Sequence, residues 1–365
     1  MTSISVPLVK VLMPPPAKLM PALEEVLYSG FISEGAKVYE FEERFAEQMG
    51  LPNSLGMSSG TGALHVAMLL AGVTSGSEVI STSMTAEPTN TTILSIGANV
   101  VFADVDAQTG NLDPDSVAAA ITSRTSAICV VHYAGYPADM ARLRQIADQA
   151  GLPLIEDCAH ALGSNVEGQP IGTIGDYGIF SFQAIKHMTT VDGGVLTMRD
   201  PDQLDLARRL RWFGMSKGVA RTEVDIVRVG YKYNMNNVSA TIGLAQLDDI
   251  QSHLAVCIDN GRFYDSAFAT VAGVEPAKVQ PNANPSYWLY TLLADDSDQV
   301  EAALSQIGVA ASKLHRPNHL HSAFNQKGAY LPGLEAFYRR LVHIPSGWWV
   351  NNEVRNIIVD RLRAG

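Results

Sequence analysis

The stretch Gly178-Ile179-Phe180-Ser181-Phe182-Gln183-Ala184-Ile185-Lys186-His187-Met188-Thr189-Thr190-Val191-Asp192-Gly193-Gly194-Val195-Leu196-Thr197-Met198 sets a lysine and a glycine pair between two short apolar runs. Runs of this kind, apolar on both faces, predict strands of a sheet covered on both sides. The same unit recurs upstream at residues 78–82, 100–105, 127–132 and 152–157, and helical patterns at 115–122 and 140–149 lie between runs. Strand-helix alternation implies an α/β fold with a mostly parallel sheet flanked by helices. Ligands of such sheets collect beyond the carboxyl ends of the strands, where Asp157 and His132 fall.

A chain of 365 residues can bury a large core and divide into two domains. The periodicity changes near residue 239. A helix is expected over 240–256, continuing at 260–271, then a strand over 287–294 and a short helix over 299–307. A large domain over residues 1–245 and a smaller α+β domain over 246–365 follow from this. The N-terminal segment is expected to pack against the second domain or a neighbouring subunit. A formal net charge of -11 argues against nucleic acid as a partner, because phosphate backbones recruit basic faces. Cys129, Cys158 and Cys257 are widely spaced and lack a CxxC pair, which speaks against a disulfide framework or a metal site. Pro14 to Pro16 interrupt any apolar N-terminal helix, and no run is long enough to span a membrane. A cytoplasmic location is expected.

Three chemical ingredients stand at strand-to-loop junctions. The Ser58-Ser59-Gly60-Thr61-Gly62 turn precedes a helix expected at 63–71. Free N–H groups at a helix start attract phosphate, and glycine permits close approach. The turn also reads as an ordinary capped helix start. His65 stands where GxGxxG needs its third glycine and the P-loop lysine is missing, which lowers the dinucleotide and NTP readings. Asp157 ends an apolar run, as a helix cap would, and as the partner of a protonated ring nitrogen would. Lys186 is flanked by Ile185 and Met188. An amine in such a partly apolar site has a lowered pKa and serves as a nucleophile. Amine, carboxylate and anion cradle are what pyridoxal phosphate requires of a protein. Ser181 is placed to join the cradle, and His160 to stack on the ring or meet its phenolic oxygen.

These residues resemble a known family. Ser59-Gly60-Thr61, Glu156-Asp157-Cys158-Ala159-His160, Gly175-Asp176, Phe180-Ser181-Phe182, Lys186 with Gly193-Gly194, and Gly230-Tyr231-Lys232-Tyr233-Asn234-Met235 match the pattern of the DegT/DnrJ/EryC1/StrS nucleotide-sugar aminotransferases, of the fold-type I class. The resemblance covers roughly residues 20–260. It implies a seven-stranded type of sheet, pyridoxal 5'-phosphate as cofactor, and a homodimer with active sites at the subunit interface. Lys186 would bind the cofactor aldehyde and Asp157 the pyridine nitrogen. His160 would sit at the ring oxygen, and Ser59, Gly60, Thr61 and Ser181 at the phosphate. Lys232 or Asn234 would reach the phosphate of the partner's cofactor. Two departures stand out. Val191-Asp192 replaces a Gly-Glu common in the family, and Ala86 takes the place of an aromatic that stacks on the cofactor. His160 or Tyr133 would then supply the stacking.

The resemblance implies transamination in two half-reactions, from an amino acid donor such as L-glutamate to a keto group of a nucleotide-linked deoxy-sugar, with Lys186 moving the proton. His132, Tyr133, Arg228, Tyr231, His315 and Arg316 are candidate contacts to sugar or diphosphate. Alternatives are a sugar dehydratase, a cyclitol aminotransferase, or a regulatory protein that keeps the fold without turnover. His343 and the Trp348-Trp349 pair are expected to pack the small domain.

Overall fold

The computed structural model describes residues 5–364. Thirteen strands form in chain order. β1 (Leu55–Met57), β2 (Glu78–Thr82), β3 (Asn99–Ala103), β4 (Thr125–Val131) and β5 (Leu154–Asp157) precede a small hairpin, β6 (Asn165–Val166) and β7 (Gln169–Pro170). β8 (Tyr177–Ser181), β9 (Gly194–Met198), β10 (Val274–Pro276), β11 (Ala283–Asn284), β12 (Tyr290–Ala294) and β13 (Leu341–Ile344) follow. The central sheet has seven strands in the order β1-β9-β8-β5-β4-β2-β3. β3, β2, β4, β5 and β8 run parallel, whereas β9 is antiparallel to both β8 and β1.

Side-chain alternation along β4 shows why its run is apolar throughout. Ile128 and Val130 join the core formed with Phe41, Phe45 and Leu143. Ala127 and Cys129 turn to the opposite core, with Ala63, Ala67 and Ile155. Both faces are dry, as a helix-covered parallel sheet requires. The three-residue strand β1, too short to show a period, was not foreseen. It forms at the edge because β9 presents open backbone groups there, with Leu55 opposite Leu196.

The long helix expected from residue 240 is two helices, Asn237–Leu247 and Ile250–Phe268. The bend falls at Asp249, whose φ of -115° and ψ of 0° leave the helical region. Lys18 holds Asp248 and Asp249 at 3.1 and 2.8 Å, and Arg44 holds Asp248 at 2.7 Å, so charges from two N-terminal helices meet this corner. The expected division at 245/246 lies inside the first of these helices.

A second sheet, β10-β12-β13, is antiparallel and carries its own core of Tyr264, Phe268, Leu292, Phe337 and Val342. His343 belongs to it, and Trp349 packs at its margin. The N-terminal segment packs here: Val6 exchanges backbone hydrogen bonds with Gly308 and Ala310, both 2.9 Å, and the Trp349 indole N–H donates to Pro7 O. No described helix is long and apolar enough to cross a membrane.

Candidate active site

The carboxyl ends of β4, β5 and β8 open onto a cavity of about 340 Å³. Its walls bring together Ser59, Gly60, Thr61, Asp157, His160, Ser181, Lys186 and His315 from segments far apart in the chain. A wider depression of about 520 Å³ lies at the opposite, amino ends of β5 and β8. There Arg144 is already paired with Asp148 and Asp176, at 2.7 and 2.8 Å.

The cradle begins at the helix Gly60–Leu70, which starts three residues earlier than expected. Ser59 caps it by accepting from the Gly62 N–H (2.9 Å), and Ser59 O accepts from Ala63. The Gly60 and Thr61 N–H groups have no partner within the helix and stand at the cavity. A Cβ on Gly60 would come within 2.9 Å of Ser181 Cβ, and one on Gly194 within 2.7 Å of Gly60 N. Glycine at these positions lets β8, β9 and the helix start close into a pocket.

Asp157 ends β5 and is nearly fully buried. Thr89 Oγ1 donates to its Oδ2 (2.8 Å), and Ala159 N donates to its Oδ1 (3.1 Å). Burial raises its pKa, while these two donors and the nearby Lys186 pull it back. A cationic partner would complete the compensation. Lys186 stands in the loop after β8, its N–H bonded to Gln183 O (3.0 Å). Gln246 clamps the end of that loop, donating to Thr189 O (2.7 Å) and accepting from Thr189 N. Burial pushes the Lys186 amine down to about 8, against the pull of Asp157. Near neutrality a minority is thus free amine, far more than for an ordinary lysine. His160 is buried with an unpartnered Nδ1, and burial first, then Lys186, lowers its pKa well below the ordinary value, so it is neutral. The stranded imidazole nitrogen, the uncompensated carboxylate and the open helix start are the groups that the ring oxygen, ring nitrogen and phosphate of pyridoxal phosphate would satisfy. The residues fit that cofactor.

Of the remaining candidates, only His315 reaches the cavity, with its Nε2 buried and unpartnered. His132 is placed elsewhere. Its Nδ1 accepts from Ala138 N, so Nε2 carries the proton toward Glu156 (3.0 Å). Glu156 also accepts from the N–H groups of Gly172, Ile174 and Gly175. His132, Glu156 and Cys158 cluster closely, but the nitrogen and oxygen atoms are spent on one another and on backbone. Tyr133 is also withdrawn: its hydroxyl donates to Leu314 O and meets His343 Nε2, and its ring does not line the cavity, so it supplies no stacking there. Arg228 and Arg316 are exposed outside the cavity. Tyr231 stacks on Tyr233 at 5.3 Å. Lys232 donates to Asn234 Oδ1 (2.5 Å) and lies 4.4 Å above Trp212. Thr89, Trp288 and Asn318 escaped sequence reading, since each acts across a long separation with no local pattern to reveal it.

The DegT/DnrJ/EryC1/StrS aminotransferase family profile matches residues 16–363. The chain belongs to this family. It is an aminotransferase whose cofactor is pyridoxal phosphate. The spore coat polysaccharide biosynthesis protein SpsC of Bacillus subtilis is 34% identical over 342 residues, covering 88% of this chain and 87% of SpsC. The sugar aminotransferase CalS13 of Micromonospora echinospora superposes with a TM-score of 0.94 at 35% identity, covering 99% of this chain and 100% of CalS13. Spr1654 of Streptococcus pneumoniae, solved in a PLP form and a PMP form, is 28% identical with a TM-score of 0.89. Its PLP form covers 98% of this chain and 98% of its own. Fold-type I architecture is thereby established for this chain.

Proposed function

We propose that this aminotransferase moves an amino group from an amino acid donor, L-glutamate, to the keto group of a nucleotide-linked deoxy-sugar. The observation that carries the reading is the meeting of a buried lysine of lowered pKa, a buried carboxylate and an open helix start in one cavity. The sugar-aminotransferase likeness of CalS13, across nearly all of both chains, supports a sugar as acceptor. When bound, pyridoxal phosphate supplies a ring that withdraws electrons from the substrate's α carbon. Asp157 would pair with the ring nitrogen and favour its cationic form, and the hydrogen bond donated by the Thr89 hydroxyl favours the charged form of Asp157. Gly60, Thr61 and Ser181 would bind the phosphate with N–H and hydroxyl donors. Lys186 Nζ takes the proton from the donor's α carbon and returns it on the other side of the exchange. His160 Nδ1, buried and unpartnered, would serve the ring oxygen.

The working unit in this reading is a homodimer. Large apolar side chains remain exposed at Tyr28, Phe31 and Ile32, and again at Val227 and Val229. The first group adjoins Glu34, which pairs with Arg211 and Lys217 ahead of the second. Apolar exposure of this size marks a buried interface. Lys232 or Asn234 then serves the partner's phosphate site.

A panel of nucleotide-linked keto sugars, assayed with glutamate, tests the substrate. Glutamate should bleach the visible band of the purified protein, and one acceptor should restore it. Lys186→Ala should lose both the band and turnover. Turnover of keto acids alone, with no response to any nucleotide-linked sugar, would overturn the acceptor assignment.

A further inference from the structure

Both neighbours of Lys186 are tied to the segment just before β12. The Trp288 indole N–H donates to Ile185 O (2.9 Å), and His187 Nε2 donates to Ser286 O (3.2 Å). The Lys186 ammonium lies 4.2 Å from the centroid of the Trp288 ring. The His160 ring stacks on the same indole at 4.0 Å, with 16° between planes. Trp288 itself is buried and does not line the cavity. One indole thus touches the backbone before the lysine, its terminal nitrogen, and the imidazole beside it.

We propose that Trp288 is the positioning residue of Lys186, its indole face being the seat of the Lys186 nitrogen whenever that nitrogen is not bound to the cofactor. The proposal rests on the assignment of Lys186 as the cofactor-bound lysine. Its physical basis is simple. A released lysine has a long flexible stem and would otherwise sample many rotamers. It must stay beside the substrate's α carbon and must tolerate becoming an ammonium there. An aromatic face attracts an ammonium and not a neutral amine, most strongly where water is absent. Burial opposes the charge. Asp157 and the indole face both favour it. The other titratable groups about the nitrogen and its cavity are His160, His187 and His315, all held toward neutrality by burial, and the acidic side chains of Glu87 and Asp192 in the cavity wall. The ring therefore keeps the nitrogen in place and keeps both of its protonation states accessible.

The test reads the nitrogen directly. Lys186 acetylation is followed against pH by mass spectrometry in full-length protein stripped of cofactor. Wild type is compared with Trp288→Phe, Trp288→Leu, and protein grown with 5-fluoro- or 5,7-difluorotryptophan. Fluorine weakens the ring's hold on a cation and leaves its shape intact, so these proteins carry the test even if Trp288→Leu does not fold. Lys186 reports on Trp288, since Trp212 faces Lys217 and Lys232, and Trp348 faces Lys10. The labelling midpoint should fall in order of fluorination, fall by about half a unit or more in Trp288→Leu, and fall by less than that in Trp288→Phe, whose smaller ring holds a cation more weakly. In the loaded enzyme, kcat should drop in Trp288→Leu with KM for glutamate little changed. An unmoved midpoint across the fluorinated proteins and any Trp288→Leu that folds would overturn the seat. Borohydride trapping in the holoenzyme separates the two assignments. Label away from Lys186 sinks the underlying reading, whereas label on Lys186 with an unmoved midpoint sinks Trp288 alone.

Discussion

Lys186 and Asp157 have opposite protonation demands, and their surroundings set both. Burial disfavours the charge on each, so the amine is lowered and the carboxyl raised. The amine accepts a proton only when neutral. Below pH 8 it is mostly ammonium, and above pH 8 mostly free. The half-reaction with glutamate should therefore speed up as pH rises through about 8 and level off above it. Stopped-flow absorbance across that interval checks this, and a profile flat through it would remove Lys186 as the proton carrier. The two residues also explain Thr89, whose hydroxyl makes no contribution that local sequence could reveal. Without its donated hydrogen bond, Asp157 would be a buried carboxylate with one donor fewer, a loss on the order of 1–3 kcal/mol.

At the scale of elements, the site depends on how closely a helix start can approach a strand end. Gly60→Ala places a Cβ 2.9 Å from Ser181 Cβ, closer than carbon atoms sit. Either the helix start or β8 must shift by several tenths of an ångström, and in the proposed cradle both carry phosphate donors. Cofactor affinity should weaken by roughly tenfold or more, the equivalent of one displaced hydrogen bond to a charged group. Equilibrium dialysis of pyridoxal phosphate measures it, and wild-type affinity in the variant would exclude this cradle. The loop carrying His315 is held in a comparable way. Asn318 is fully buried, donates to Thr85 O (2.7 Å), and accepts from Asn90 Nδ2 (2.9 Å). Ser83 and His319 add a bond of 2.8 Å beside it. Asn318→Ala strands two buried polar groups, so chemical denaturation should show a loss of about 2–5 kcal/mol. A loss below 1 kcal/mol would mean that water replaces the amide.

For the whole molecule, the question is which residues one chain must borrow from another. In the homodimer reading, Lys186 serves its own site, while Lys232 or Asn234 serves the partner's. Two inactive proteins, Lys186→Ala and a variant altered at both Lys232 and Asn234, should then regain part of the activity on mixing and reassembly. Each mixed dimer holds one site with both defects and one with neither. No recovery from dimers shown to exchange would place the two groups in the same site. A second whole-molecule constraint is the buried cluster of Arg211 with Glu34 and Glu42, at 3.0 and 2.6 Å, which ties the Phe31 segment to the main sheet through Gly56. Removing one member leaves unpaired buried charge, the costly way to break such a cluster.

Apolar runs, a lysine loop, a glycine-bearing turn and a carboxylate at a strand end are local facts, and reading them along the chain was enough to place the α/β fold and to single out the amine, carboxylate and helix start that meet in one cavity. Each depends on residues within a few positions, where backbone propensity and capping act. The partners of the Asp248–Asp249 corner, Lys18 and Arg44, lie more than 200 positions away and leave no local mark. His132 and Tyr133 share the strand-end address of Asp157, yet Glu156 claims one and Leu314 with His343 the other. Which strand-end side chain faces a cavity and which is consumed by a buried partner is settled by contacts between distant segments. Only the packed chain contains those contacts.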